Sequence, residues 1–183
     1  MRVICISGKA GHGKDTVAGL MKEALEQNDK RVLITHYGDL VKYICTTFFG
    51  WDGQKDEQGR HLLQNVGTEI VRAQDQDFWV NFVMSVLKFF NGQWDYVLIP
   101  DCRFVNEMIG PVSSGFSTTF LRVNRSGYVS TLTEEQQKHI SETALDNQTH
   151  DVYIENSGDL NDLKAKVYDW VLEELGFCQS SFF

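Results

Sequence analysis

The residues with the clearest chemical potential form a glycine-rich stretch near the start of the sequence. It reads Gly8-Lys9-Ala10-Gly11-His12-Gly13-Lys14-Asp15-Thr16. The three glycines let backbone N–H groups approach phosphate oxygens, and Lys14 can reach terminal phosphates. An apolar run precedes the stretch and helical periodicity follows it, so a helix N-terminus adds its attraction for anions. We predict that all nine residues form a nucleoside triphosphate site.

The residue after Lys14 is a carboxylate, and a hydroxyl follows one position later. We assign the Thr16 hydroxyl to Mg²⁺. Asp15 has two interpretations: it complements the helix macrodipole, or it contacts the water shell of the metal. The sequence leaves both open.

A second polar group follows the apolar run Tyr96 to Pro100. Ligands of open α/β sheets bind beyond the carboxyl ends of the strands. Asp101 therefore lies where a carboxylate can help to hold Mg²⁺ through water, with helix or turn capping as its alternative. Arg103 suits a phosphate contact, and an ion pair with Glu107 is its alternative.

The order of apolar runs and helical patterns indicates an α/β fold with a parallel sheet covered on both faces. The helices of the region between strands two and three are predicted at Leu40–Phe49, Arg60–Gln74 and Asp77–Phe90, and most of that region's aromatic side chains are expected to pack. Thr133 and Gln136 fit a capping box, and Gly176 is a candidate terminator for an amphipathic last helix. The predicted strands are Val3–Ser7, Arg31–Thr35, Tyr96–Pro100, Thr118–Val123 and Val152–Glu155.

Composition narrows the classes of partner. The 183 residues are 42% hydrophobic and carry a formal net charge of −8, which argues against nucleic-acid and anionic-membrane surfaces. Cys5, Cys45, Cys102 and Cys178 have no metal-ligand spacing and are expected to be reduced thiols. No apolar stretch approaches the roughly 20 residues that span a bilayer, and the early first strand leaves no room for a signal peptide. We expect a cytoplasmic protein.

The chain resembles the bacteriophage-type deoxynucleoside monophosphate kinases, within the P-loop nucleoside monophosphate kinases. Besides the glycine-rich stretch, whose Lys-x-Thr spacing is typical of them, the resemblance rests on ordered blocks that cover nearly the whole chain. These are residues 37–42, 59–69 with Arg72 and 77–80, 101–107, 139–145 and 154–158.

The resemblance implies one P-loop kinase domain over residues 1–183 with a five-stranded parallel core, and transfer of the ATP γ-phosphoryl group to a deoxynucleoside monophosphate. The core would comprise 1–36, 93–123 and 151–177, the helical monophosphate-binding region 37–92, and the lid 124–150. Lys14 and its loop would hold ATP, and Thr16 and Asp101 would serve Mg²⁺. Arg60, Arg72 and Arg103 would hold the acceptor, with Arg125 approaching from the lid as a catalytic group beside Lys14 and Arg103. For a phage-encoded chain, the compartment would be the host cytoplasm.

Several assignments stay open at this level. Asn156 suits either the adenine pocket of ATP or a strand-to-helix turn, and Asp39 or Lys42 is placed at the sugar or phosphate of the acceptor. His139 is a packing or solvent histidine, or a contact from the lid to phosphate. Base preference, rejection of a 2′-hydroxyl and pairing of the chain with itself are undetermined.

Two rival functions are consistent with the same loop. A kinase for a hydroxyl acceptor, such as dephospho-coenzyme A kinase, would use Asp39 as a general base. A non-catalytic regulator would bind ATP only to change shape.

Overall fold

Five parallel strands form the centre of the fold. The computed structural model describes residues 1–176, and the sheet order is β2-β3-β1-β4-β5. All five predicted strands are present with small shifts in their ends. β2 is one residue shorter than predicted at each end, and at its start the N–H of Arg31 donates to the Asp95 carboxylate, 2.9 Å away. The strands are β1 (Arg2–Ser7), β2 (Val32–Ile34), β3 (Tyr96–Ile99), β4 (Ser117–Asn124) and β5 (Val152–Glu155).

Helices cover both faces of the sheet, which confirms the predicted α/β three-layer class. The apolar stripe of the first helix packs with the last helix on one face, and the fourth and fifth helices pack on the other. The helices are α1 (Lys14–Glu26), α2 (Asp39–Phe49), α3 (Glu57–Gln64), α4 (Phe78–Phe89), α5 (Val105–Ser113), α6 (Glu134–Lys138), α7 (Ile140–Thr143) and α8 (Leu160–Glu174).

The predicted helix over residues 60–74 is wrong in two respects. α3 begins earlier, at Glu57, because the Asp56 carboxylate accepts the N–H of Gly59 and caps it. From Asn65 to Arg72 the backbone then continues as a π-helix. Gly67 is the third residue of this π-helical segment. A Cβ there would lie 3.4 Å from Cγ1 of Val41, and the Gly67 carbonyl accepts the indole N–H of Trp79. Apolar spacing does not distinguish the two helix types.

The expectation that most aromatic residues of this region pack is also wrong. Trp79 is buried and Trp51 packs beside it, but the six phenylalanines are exposed. α2 and α4 carry more aromatic residues than their single buried stripes can cover. The exposed residues are Phe48, Phe49, Phe78, Phe82, Phe89 and Phe90.

Smaller features follow the sequence. Thr133 and Gln136 form the predicted capping box of α6, and Gly176 adopts a left-handed φ of 79° just after α8. Cys5, Cys45 and Cys102 are buried free thiols, whereas Cys178 lies outside the described residues. Within residues 1–176, no helix has both the length and the apolar character that crossing a bilayer requires.

Candidate active site

A cavity of about 460 Å³ lies beyond the carboxyl ends of β1, β2 and β3. The glycine-rich loop follows β1, His36 to Gly38 follow β2, and Pro100 to Phe104 follow β3. Residues of α2, α3, the π-helical segment and the stretch 128–142 also line the wall, together with Lys55, Trp79 and Glu107. The parallel topology therefore gathers the chemically interesting segments of the sequence around one space.

The glycine-rich loop has the backbone conformation that its sequence predicts. Gly8, Gly11 and Gly13 have φ angles of 147°, 78° and 95°, which L side chains rarely adopt. At Gly11, a Cβ would lie 2.3 Å from the hydroxyl of Tyr128. At Gly13, a Cβ would lie 2.7 Å from the amide nitrogen of Asn156. The glycines thus admit both phosphate and neighbouring side chains.

Lys14 is held inside the cavity by its own loop. Its ammonium donates to the carbonyl of Lys9 at 2.9 Å, and the residue is 8% exposed. Burial, reinforced by the nearby Arg103 guanidinium, lowers the pKa of Lys14 to about 8. The group therefore remains mostly charged at neutral pH, where it can attract phosphate.

Asp15 lines the cavity, whereas Thr16 is exposed and lies outside the wall that residues 1–176 form. Asp15 Oδ1 is 3.3 Å from His36 Nε2, and Asp39 Oδ2 is 3.2 Å from His36 Nδ1. Since both ring nitrogens face carboxylates, the Asp15 contact raises the pKa of His36 despite its partial burial. The Asp15 carboxylate thus has a side-chain partner that neither sequence interpretation included.

Asp101 adopts the capping arrangement given above as its alternative. Its two carboxylate oxygens accept the backbone N–H groups of Tyr37, at 3.0 Å, and Gly38, at 2.8 Å. These groups precede α2, so the carboxylate is anchored against the start of that helix. Asp101 still lines the cavity, and each of its oxygens has a second lone pair for a ligand.

All three arginines assigned to the acceptor line the cavity: Arg60, Arg72 and Arg103. The nitrogen Nε of Arg60 donates to the carbonyl of Lys55 at 2.8 Å. The predicted alternative for Arg103, a side-chain pair with Glu107, is not what the structure shows. Arg103 pairs with Glu142, and Arg72 takes the place beside Glu107.

Glu107 is a buried carboxylate with several donors around it. It pairs with Arg72 and accepts the backbone N–H groups of Arg103 at 2.6 Å and Phe104 at 3.0 Å. Burial raises the pKa of Glu107 to about 7, while the attraction of Arg72 opposes that rise. The guanidinium of Arg72 also lies 4.1 Å from the centroid of the Phe104 ring.

The remaining predicted site residues lie at or beside the cavity. Lys42 lines it and donates to Asp39 Oδ1 at 2.8 Å, and Asp39 also accepts the N–H of His36. Arg125 donates to the carbonyl of Gly11 at 3.3 Å, and Asn156 donates to the carbonyl of His12 at 3.0 Å. Eight predicted site residues do not line the cavity wall that residues 1–176 form. They are Gly8, Lys9, His12, Gly13, Thr16, Asp39, Arg125 and Asn156.

His139 does not contact the loop. Its Nδ1 is 2.8 Å from the hydroxyl of Ser141, and its Nε2 is 3.6 Å from Glu69. It is the N-terminal cap of the short helix α7, which agrees with a structural role.

Among the cavity residues without an assignment from the sequence, His36, Tyr128 and Glu142 contact the glycine-rich loop. Glu142 belongs to the block 139–145 on which the family resemblance rests, and this was the signal that could have marked it as a site residue. His36 and Tyr128 carried no motif of their own, and only the chain path brings them to Asp15 and Gly11.

Comparison with known proteins gives the family of the chain. Residues 49–167 match the family model for deoxynucleotide monophosphate kinase. The deoxynucleotide monophosphate kinase of Escherichia phage RB69 is 33% identical over 110 residues, and that of Enterobacteria phage T4 is 36% identical over 110 residues. Each alignment covers 59% of this chain, but only 42% and 43% of the two relatives.

Solved structures share the fold at low sequence identity. The Mycobacterium tuberculosis APS kinase in complex with AMPPNP and APS is 13% identical, with a TM-score of 0.53 over 94% of this chain and 97% of that chain. A shikimate kinase from Bacteroides thetaiotaomicron is 14% identical, with a TM-score of 0.53 over 95% and 98%. Both likenesses support the P-loop kinase fold. By the match of its sequence to the family model, the chain belongs to the deoxynucleotide monophosphate kinase family.

Proposed function

We propose that the protein transfers the γ-phosphoryl group of ATP to a deoxynucleoside 5′-monophosphate, with dNDP and ADP as products. One observation carries the proposal beyond family membership: Lys14 of the phosphate loop and Arg60, Arg72 and Arg103 line a single cavity. A site for one nucleotide needs no such supply of guanidinium groups. A site that brings two phosphate esters together does, because their charges repel each other.

The reaction needs positioning more than proton transfer. A monophosphate has a second pKa near ~6, so its attacking oxygen is largely ionised at neutral pH. The γ-phosphorus forms its new bond with that oxygen as its bond to the β-γ bridging oxygen breaks, and ADP leaves. Fixed cations offset the charge during transfer, which is the main catalytic contribution available to a protein in phosphoryl transfer.

The segments around the cavity support a division of labour. Residues 37–92 contribute α2, α3 and the π-helical segment, which carry Lys42, Arg60 and Arg72. Residues 124–150, taken as a lid, contribute Tyr128, Thr131, Leu132 and Glu142 to the wall. We assign the monophosphate to the first region, and to the lid the exclusion of water that would otherwise accept the phosphoryl group. The core would supply the sheet and the ATP loop.

Mg²⁺ fits the donor set of this site. Hard oxygen ligands suit it, and kinase sites hold it through one or two protein groups and the nucleotide phosphates. The Asp101 carboxylate would hold it, partly through water, and would be joined by the Thr16 hydroxyl, which lies at the start of α1. When bound with ATP, Mg²⁺ would offset the charge of the β- and γ-phosphates. Arg125 and Asn156, each bonded to a carbonyl of the loop, would border the ATP side.

The decisive experiment is to incubate the chain with Mg-ATP and each common ribo- and deoxyribonucleoside monophosphate, and to separate the products by chromatography. We expect a diphosphate from at least one deoxynucleotide. Lys14→Met should abolish it, whereas Lys22→Met, on the exposed side of the same helix, should not. Absence of product from every monophosphate would contradict the proposal and favour a non-catalytic regulator.

Asp39→Asn distinguishes the acceptor class. A kinase for a hydroxyl acceptor would nearly stop without its base. Asp39 lies outside the cavity wall and bonds to Lys42 and His36, which supports a positioning role. We therefore expect the variant to raise the KM of the monophosphate with a smaller effect on kcat.

A further inference from the structure

The carboxylate of Glu142 connects two parts of the cavity that are distant in sequence. Its Oε2 accepts the N–H of Ala10, in the phosphate loop, at 3.0 Å. Its Oε1 pairs with the guanidinium of Arg103, which follows β3. The Glu142 side chain is only 6% exposed, although it lies in a short helix of a surface segment.

The Glu142 carboxylate is buried, so its charge must be compensated by partners within the protein. A carboxylate removed from water is costly unless charged and hydrogen-bonding partners satisfy it. Glu142 has one of each, and both belong to the proposed catalytic apparatus. A carboxylate that served only to stabilise the segment 124–150 would not need to be placed between the phosphate loop and an acceptor arginine.

Arg103 is held at one end of its guanidinium and remains available at the other. Nη1 contacts Glu142 and donates to the carbonyl of Ser141 at 3.3 Å. Within the described residues, Nε and Nη2 have no hydrogen-bond partner, and the side chain is 35% exposed where it lines the cavity. The planar fork can therefore present two donors to a phosphate while Glu142 sets its orientation.

The bonds around Arg103 form a continuous series across the site. Arg72 pairs with Glu107, which accepts the backbone N–H of Arg103. The Arg103 side chain then pairs with Glu142, whose carboxylate accepts the backbone N–H of Ala10. Glu107 thus holds the backbone of Arg103, and Glu142 holds its side chain.

We infer that Glu142 is a positioning residue that sets the Arg103 guanidinium against the phosphate loop, so that the acceptor site assembles only when the segment 124–150 is in place. This inference rests on the proposed function. Glu142 acts through Arg103 and needs no contact with either nucleotide.

The test compares Glu142→Gln with Glu134→Gln in the same segment. Glu134 is a suitable control because its side chain is 93% exposed and lies outside the cavity, with its carboxylate 3.9 Å from the ammonium of Lys138. Glutamine removes the charge and replaces one carboxylate oxygen by an NH2 group, which cannot accept the hydrogen bond of Arg103 or of Ala10. Misplacement of a positioning group by about 1 Å costs ~10²-fold, so we expect that loss in kcat/KM for the monophosphate. The KM for ATP should change by less than about twofold, and Glu134→Gln should match the unaltered chain.

A double-mutant cycle with Arg103→Ala separates positioning from general stability. If Glu142 acts through Arg103, Glu142→Gln should cost little more once Arg103 is absent. Equal losses with and without Arg103 would overturn the inference. So would a Glu142→Gln variant with kinetics like those of Glu134→Gln.

Calorimetry keeps this inference separate from the proposed function. Each variant is titrated with the deoxynucleoside monophosphates in the presence of a non-hydrolysable ATP analogue. If the unaltered chain forms no diphosphate yet binds a monophosphate, and Glu142→Gln weakens that binding only when Arg103 is present, the proposed function fails and the inference stands. If the unaltered chain binds no monophosphate, both fail.

Discussion

Glu107 and Arg72 form an ion pair that is almost entirely withdrawn from solvent, with 3% and 9% of their side chains exposed. The pair joins the end of the π-helical segment to the first turn of α5. The ring of Phe104 covers the guanidinium on one face. Arg72 therefore has a defined position in the cavity wall, and much of its desolvation is compensated by Glu107.

Arg60 offers a cleaner test of the acceptor side, because its Nε donates to the backbone carbonyl of Lys55 and not to a buried acid. We expect Arg60→Ala to raise the KM of the monophosphate. The loss of a charge-assisted hydrogen bond costs about 1.5–3 kcal/mol, or roughly 10- to 150-fold. Steady-state kinetics at saturating Mg-ATP measure it.

Arg31→Ala is the matched control for Arg60. Arg31 pairs with Asp95 at the start of β3, outside the cavity wall. The substitution Arg31→Ala should leave the KM of the monophosphate unchanged. Equal effects of the two substitutions would show that Arg60 does not contact the acceptor.

Glu107 makes stability depend on pH. Burial raises the pKa of Glu107 from 4.5 to about 7, so the folded chain binds a proton that the unfolded chain has released. The free energy of unfolding should therefore fall as pH rises from about 4.5 to about 7, by up to about 3.4 kcal/mol. Glu107→Gln should remove this slope, as measured by urea unfolding at pH 5 and pH 8. An unchanged slope in Glu107→Gln, with Glu134→Gln as reference, would assign it to other groups.

Comparison of Gly11→Ala with Gly127→Ala distinguishes the cost of backbone strain from the cost of a steric clash. Both have positive φ, 78° and 76°, but a Cβ at Gly127 meets nothing within 4 Å whereas one at Gly11 meets Tyr128. We expect Gly127→Ala to cost about 1 kcal/mol of stability through strain alone. Gly11→Ala should cost more and should also weaken ATP binding, because Tyr128 and the loop must move apart. Calorimetry with a non-hydrolysable ATP analogue measures the second effect, and equal results for both variants would contradict the contact.

Arg125 should affect turnover more than ATP affinity. It lies against the carbonyl of Gly11, and its guanidinium is 4.9 Å from the centroid of the Tyr128 ring. If it approaches the transferring phosphoryl group from the lid, Arg125→Ala lowers kcat by ~10³-fold, as for arginines that stabilise this transition state. If Arg125→Ala lowers kcat and the affinity for a non-hydrolysable ATP analogue by the same factor, Arg125 acts in binding alone.

Much of this protein could be predicted from local sequence patterns. The strands, α1, the capping box at Thr133 and the conformation of the glycine loop depend on periodicity and turn chemistry that act over a few residues. The grouping of Lys14 with Arg60, Arg72 and Arg103 was implied by family resemblance, and all four residues line one cavity.

The partners of the charged groups could not be predicted in the same way. Spacing suggested Glu107 for the Arg103 side chain, but Arg72, 35 residues away, reaches it instead, and Arg103 pairs with Glu142. Likewise, Asp101 caps α2 and Asp15 meets His36.

Local sequence patterns thus predicted the α/β fold class and the glycine-rich loop, and family resemblance implied the grouping of arginines around that loop. Which acid holds which arginine, and where the π-helical segment begins, depend on the packing of segments that are distant along the chain. The reason is physical: local preferences depend on neighbours along the chain, whereas a buried charge takes whichever opposite charge the packing of distant segments brings within reach.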